Sequence, residues 1–104
     1  MDFKVDSKVE EDSLILSLFG ELDVYSTPKF KEEVKSAYEE NKLNIILDCK
    51  NLEYMDSTGL GSLIYLLKIV NEDNKKISIK NLSKQILKLF KITKLDEIFE
   101  IMVD

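Results

Sequence analysis

Strand-like and helix-like segments alternate along this chain, and their order restricts the folds that it can adopt. Mostly apolar runs at 14–19 and 43–47 predict strands, and the isoleucines at 77–79 mark a shorter strand. Apolar residues recur at helical spacing after Pro28 and again after Gly59. Because strands separated by helices pair in parallel through right-handed crossovers, this order predicts an α/β sheet.

The N-terminal segment predicts a hairpin at one edge of this sheet. Phe3, Val5 and Val9 partly alternate with polar residues, as in an edge strand, and a polar turn follows at 10–12. The strand at 14–19 comes next and is apolar enough to be buried on both faces.

Helix starts can be read at three places. Pro28 suits the first helical position and disfavours a helical residue before it, so Thr27 is the predicted N-cap of a helix that ends near Asn41. The second helix is expected to begin near Gly59. Ser83 is the predicted N-cap of the third.

The C-terminal segment at 95–103 combines a turn with either a final strand or a short helix. A chain of 104 residues fits a single domain, at 1–104, with a core of its own. We predict a small α/β fold in which a mixed, mainly parallel sheet of four to five strands is covered by helices, mainly on one face.

Charge and residue types exclude several classes of function. The net charge of −5 argues against nucleic-acid binding, which needs a basic face. All fifteen basic residues are lysine, so the chain lacks the guanidinium fork that reads a phosphate on another protein. It also has no histidine, which removes the usual activation of a serine or cysteine nucleophile. Neither an enzyme active site nor a cofactor or metal site is expected.

The compartment follows from what the chain lacks. No apolar run approaches the ~18 residues that span a membrane, and the first residues have no signal-peptide pattern. A cytoplasmic location away from the membrane is expected. The single cysteine, Cys49, excludes an internal disulfide and is either a small apolar filler at a strand end or a reactive thiol.

The segment at 56–61, Asp-Ser-Thr-Gly-Leu-Gly, lies where the third strand leads into the second helix. One interpretation is a plain helix cap, since Asp, Ser and Thr all cap well and glycine permits a tight turn. The other is a phosphorylation switch at Ser57, because an exposed serine beside the free N–H groups of a helix N-terminus can hold an anion there. The residues alone leave both open.

The effect of a phosphate on Ser57 can be predicted from charge. It would add about −1.5 to −2 charges close to Asp56 and Glu53, and the chain has no arginine to pair with it. We therefore expect it to spoil an interface by charge and desolvation, with little change in the protein itself.

Four blocks, at 20–23, 47–48, 54–61 and 91–99, resemble the bacterial anti-sigma-factor antagonists of the STAS domain family. The resemblance covers essentially the whole chain, and the Asp-Ser-Thr-Gly-Leu-Gly block is its specific part. Asp-Val-Tyr followed by Thr-Pro, from Asp23 onward, is especially similar to the antagonists of general stress-response sigma systems.

The resemblance implies a partner-switching protein. Its unphosphorylated form would bind an anti-sigma factor, a serine kinase of the GHKL ATPase type, and so release a sigma factor. The kinase would phosphorylate Ser57 to end the complex, and a PP2C-type phosphatase would restore the serine. A monomer or weak dimer is expected. The alternative is a STAS interaction module of a stress-sensing scaffold or of another signalling pathway.

The resemblance also implies a partner-binding face beside the phosphorylated serine. Tyr25 is either a contact residue of that face or a loop-packing aromatic, and Thr58 is either a second phosphate acceptor or a capping residue. The predicted face comprises Glu21, Asp23, Tyr25, Asp56, Ser57, Thr58, Gly59, Leu60 and Gly61.

Overall fold

Five strands and three α-helices make up the part of the chain that the structure, a computed structural model, describes, residues 2–102. The strands are β1 (Lys4–Glu10), β2 (Ser13–Leu22), β3 (Asn44–Met55), β4 (Ile77–Lys80) and β5 (Glu100–Ile101). The helices are α1 (Thr27–Glu40), α2 (Ser57–Asn71) and α3 (Lys84–Ile92), and a 3₁₀ helix (Leu95–Glu97) precedes β5. None of these helices is both long and apolar enough to cross a membrane.

The strands lie in the sheet in the order β1-β2-β3-β4-β5. β1 is antiparallel to β2, and each later pair is parallel, with one α-helix between its two strands. The predicted mixed, mainly parallel sheet is therefore confirmed. For the segment at 95–103, a final strand and a short helix were both considered, and both a 3₁₀ helix and a two-residue strand are present. Val103 lies outside the described residues.

One face of the sheet carries the core. In the central strands, two rows of apolar residues stand opposite one another in register and are buried: Leu14, Ile45 and Ile77, and Leu16, Leu47 and Ile79. The helices cover these rows with their own buried residues, Phe30, Val34 and Tyr38 from α1, Leu63, Leu66 and Val70 from α2, and Ile86 and Phe90 from α3.

The opposite face is largely polar, and this corrects one expectation for β2. Ser17 and Phe19 are only half-buried, and Ser17 stands beside Asp48 in the register with β3. The strand predicted to be buried on both faces is thus fully buried on one and only partly on the other, where Ile15 is buried but Ser17 and Phe19 are not.

Element boundaries differ from the sequence predictions at four places. β2 runs on to Leu22, and α2 begins at Ser57, two residues before Gly59. The N-cap of α1 is Ser26, and Thr27 is already helical and buried. β3 continues past Leu47 to Met55, because residues 51–55 keep pairing with the end of β2 through two register shifts. Ser83 caps α3 as predicted, with its hydroxyl accepting from the Ile86 N–H over 3.2 Å.

Cys49 is a buried core residue inside β3. Burial, together with the nearby Asp48 carboxylate, raises the pKa of its thiol to about 12. The thiolate needed for reactivity is therefore disfavoured, and Cys49 serves as a small apolar filler.

Candidate functional site

The site is built around the first turn of α2. Asp56 is its N-cap, and the Oδ1 atom of Asp56 accepts a hydrogen bond of 2.8 Å from the backbone N–H of Gly59. Ser57 and Thr58 occupy the first two helical positions, and both are exposed. Asp56 rather than Thr58 is thus the capping residue, and two hydroxyls face solvent at the positive end of the helix dipole.

The other members of the 56–61 block differ in their surroundings. Gly59 and Leu60 are buried, and Leu60 belongs to the core, whereas Gly61 is exposed with open space around it. The predicted contribution of Leu60 to the face is therefore corrected in one respect: its side chain packs inward and holds the helix on the sheet.

Ser62 is a buried residue of this turn that the sequence did not single out. It is 1% exposed, and its hydroxyl donates to the carbonyl oxygen of Gly59 over 2.6 Å. A serine placed between the apolar residues Leu60 and Leu63 could have suggested such a bond, because a hydroxyl in a buried helix turn bonds to a carbonyl three or four residues earlier.

The end of β2 brings the second predicted block to the same place. The N–H of Asp56 donates to the carbonyl oxygen of Leu22 over 3.3 Å, and Glu21 stands beside Tyr54 in the strand register. The Gly-Glu-Leu-Asp block and the Ser57 turn therefore meet at the carboxyl end of two neighbouring parallel strands.

Asp23 shapes the loop that follows β2. Its Oδ1 atom accepts from the N–H groups of Tyr25 over 2.9 Å and Ser26 over 3.1 Å. The Ser26 hydroxyl donates to the Glu21 carbonyl over 2.7 Å and accepts from the Asp23 N–H over 2.9 Å. The predicted site residue Asp23 is half-buried and holds the loop in place, and Ser26, which sequence reasoning missed as a site residue, is its partner.

This loop holds an aromatic side chain out in solvent. Tyr25 is 90% exposed and Val24 is 55% exposed, so the interpretation of Tyr25 as a loop-packing aromatic is wrong. Tyr54, at the end of β3, is 50% exposed. Large apolar side chains displayed together at one end of a sheet are typical of a surface that binds another protein.

Fold and site together define a class of small α/β domain: a mixed sheet with helices on one face and an exposed serine at a capped helix start. The STAS domain family model matches residues 4–103, and the chain belongs to that family.

Relatives match over nearly the whole chain. The anti-sigma-B factor antagonist of Bacillus subtilis is 37% identical over 102 residues, which cover 97% of this chain and 92% of that protein. The anti-sigma-B factor antagonist of Staphylococcus aureus is 31% identical over 101 residues, which cover 97% of this chain and 94% of that protein.

A solved structure shares the fold. The anti-sigma factor antagonist SpoIIAA in its unphosphorylated form superposes with a TM-score of 0.74 at 21% identity, covering 99% of this chain and 89% of its own. The phosphorylated form of SpoIIAA superposes with a TM-score of 0.72, also at 21% identity, covering 99% of this chain and 93% of its own.

Proposed function

We propose that this protein is an anti-sigma factor antagonist that is switched off by phosphorylation of Ser57. The observation that carries the proposal is the exposed hydroxyl of Ser57 at the first position of a helix capped by Asp56, beside a loop that displays Tyr25. The names of the relatives that match nearly the whole chain support the same function.

In the unphosphorylated form, the surface around Ser57 binds an anti-sigma factor and thereby frees a sigma factor. The contact surface comprises the exposed side chains Tyr25, Ser57 and Thr58 together with Glu21 and Gly61. Asp23, Asp56, Gly59 and Leu60 position it, because they fix the loop and the helix start. The protein thus acts by binding and release, not as an enzyme, in the cytoplasm where sigma factors work.

Phosphorylation is a transfer from ATP, catalysed by the bound anti-sigma factor acting as a serine kinase of the GHKL type. The Ser57 oxygen forms a bond to the γ-phosphorus, the bond from that phosphorus to the bridging oxygen breaks, and ADP and the hydroxyl proton leave. A PP2C-type phosphatase returns the serine by hydrolysing the phosphoester.

The phosphate acts on the interface more than on the fold. The helix dipole favours it by roughly 0.3–1 kcal/mol. The Asp56 carboxylate, however, already caps this turn by accepting from Gly59, so a second anion stands directly next to it. The added charge must be desolvated whenever a partner covers Ser57, and this lowers the affinity of the complex.

The test combines intact-mass analysis and binding. Incubation with a GHKL-type anti-sigma kinase and ATP should add one phosphate to the wild type and to the matched control Thr58→Ala, and none to Ser57→Ala. With ADP present, Ser57→Ala should bind the kinase like the wild type, and Ser57→Asp should bind at least about tenfold more weakly. Phosphate on Ser57→Ala, or equal binding of Ser57→Ala and Ser57→Asp, would contradict the proposal.

A further inference from the structure

β1 leaves one side of its backbone unpaired. Its only strand partner among residues 2–102 is β2, so its other side is the edge of the sheet. Glu10 faces Ser13 across a two-residue turn, which directs the backbone groups of Glu10 toward β2. Because these groups alternate in direction along an antiparallel strand, the N–H and C=O groups of Val5, Ser7 and Val9 point outward.

The side chains of β1 also alternate between the two faces. On the polar face of the sheet, four charged residues follow one another with alternating sign, Lys4, Asp6, Lys8 and Glu10. These residues form two ion pairs. The Nζ atom of Lys4 lies 3.5 Å from Oδ2 of Asp6, and the Nζ atom of Lys8 lies 3.0 Å from Oε2 of Glu10. On the helix face stand Val5, Ser7 and Val9, and Val9 is 49% exposed.

This order of residues is self-complementary about Ser7. If two copies of β1 pair antiparallel with Ser7 opposite Ser7, then Lys4 meets Glu10, Asp6 meets Lys8, and Val5 meets Val9. Opposite charges and apolar pairs placed directly across two strands stabilise a sheet.

Neighbouring registers lack this complementarity. If the two strands pair with Asp6 opposite Asp6 of the second copy, Lys4 of each copy faces Lys8 of the other. If they pair with Lys8 opposite Lys8, Asp6 of each copy faces Glu10 of the other. Like charges directly opposite destabilise a strand pair, so the sequence selects the register centred on Ser7.

We propose that the outer edge of β1 binds a second copy of this chain, forming a two-fold dimer in which β1 pairs antiparallel with β1 of the partner. The outward N–H and C=O groups of Val5, Ser7 and Val9 supply the hydrogen bonds. A groove of about 360 Å³ lies beside this edge, between β1 and α1, and Val5, Ser7 and Ala37 line it in part.

The dimer leaves the Ser57 surface free. The two-fold axis reverses the direction of the strands in the second copy, so the carboxyl ends of the two copies of β3 lie at opposite ends of the continuous sheet. Each copy therefore presents its own Ser57 turn to solvent, and the assembly is bivalent.

The test uses two charge reversals that are complementary only to each other. In a homodimer of Asp6→Lys, the new lysine faces Lys8 of the other copy. In a homodimer of Lys8→Asp, the new aspartate faces Asp6 of the other copy. Each variant alone should therefore dimerise about tenfold or more weakly than the wild type. An equimolar mixture restores every opposite-charge pair. Sedimentation velocity from micromolar to millimolar concentration should show heterodimers in the mixture at least as tight as the wild-type dimer.

Two further variants separate charge from backbone pairing. Lys84→Asp changes the net charge as Lys8→Asp does, but at an exposed position of α3, and should dimerise like the wild type. Ser7→Pro removes an outward N–H and should abolish the dimer while circular dichroism stays unchanged, since proline is tolerated at a sheet edge. A wild type that stays monomeric at millimolar concentration would overturn the proposal, and so would a mixture that remains monomeric.

Discussion

The carbonyl oxygen of Leu22 lies 2.5 Å from the position that a β-carbon on Gly59 would occupy. The Cγ atom of Met55 lies 2.8 Å from the same position. The first turn of α2 is thus pressed against the ends of both β2 and β3. The helix that presents Ser57 is seated by a contact that only glycine permits.

Gly59→Ala should therefore destabilise the protein. The added methyl must push aside backbone as well as side-chain atoms, and overpacking of this kind costs about 1–3 kcal/mol. Denaturant unfolding would measure the loss. Gly61→Ala is the matched control: it adds the same methyl two residues further on, into open space. It should raise the free energy of unfolding by about 0.5–1 kcal/mol, because alanine favours a helix. Equal changes in the free energy of unfolding for the two variants would contradict the close packing of Gly59 against Leu22 and Met55.

Asp56→Ala should lower stability through loss of the helix cap. The hydrogen bond from the Gly59 N–H would have no acceptor, at a cost of about 0.5–2 kcal/mol. Asp56→Asn keeps an acceptor oxygen and should retain most of the stability. Thermal unfolding of both variants beside the wild type measures the difference; an Asp56→Asn loss as large as that of Asp56→Ala would show that charge, not capping, matters here.

Tyr38 should make stability fall at alkaline pH. It is fully buried, and its hydroxyl donates to Oδ2 of Asp73 over 2.8 Å. Burial first, and then this hydrogen bond, raise the pKa of Tyr38 from 10.0 to about 12. As pH rises past 10.0, the unfolded chain loses the phenolic proton before the folded protein does. The stability that Tyr38 contributes through its raised pKa is therefore complete below pH 10.0 and is lost as the pH rises toward about 12.

Tyr38→Phe isolates this effect. Below pH 10 it should lower the free energy of unfolding by about 1 kcal/mol through the lost hydrogen bond. At higher pH, urea unfolding should show a shallower decline than in the wild type. Cys49 titrates in an overlapping range but is present in both proteins, so it does not contribute to the difference. Parallel pH profiles of the two proteins would contradict the assignment.

Cys49 should resist thiol reagents in the native protein. Its buried position and raised thiol pKa leave little thiolate at neutral pH. A colorimetric disulfide reagent should react only as fast as the protein opens, and adding denaturant should accelerate the reaction by orders of magnitude. Reaction at the rate of a free cysteine would contradict the buried placement.

Local patterns were enough to predict most of the fold. The order of elements follows from the apolar spacing, and Ser83 was recognised as a cap because its bond to Ile86 lies within one helical turn. Thr27 was mistaken for a cap because Pro28 was placed at the first helical position, whereas the helix already begins at Thr27 and Pro28 is its second residue. The hydroxyl of Ser26, the N-cap, bonds to Glu21 and Asp23 of the preceding loop, and sequence spacing does not reveal that use.

Features that depend on packing between elements could not be predicted. The polar stretch at the end of β3 continues as a strand only because β3 takes in one extra residue at each of two register shifts and so stays paired with β2. The burial of Ser62 likewise depends on how α2 packs on the sheet. The exposure of Tyr25 depends on the Asp23 turn, which a residue pattern suggests but does not orient.

The strands lie side by side in the order in which they occur along the chain. Each new strand therefore joins the open edge left by the one before it, and no strand must be inserted between two that already pair. During synthesis, the hairpin of β1 and β2 can form while later residues are still inside the ribosome, and the sheet can grow from there by one crossover at a time. Assembly of this fold can thus follow translation.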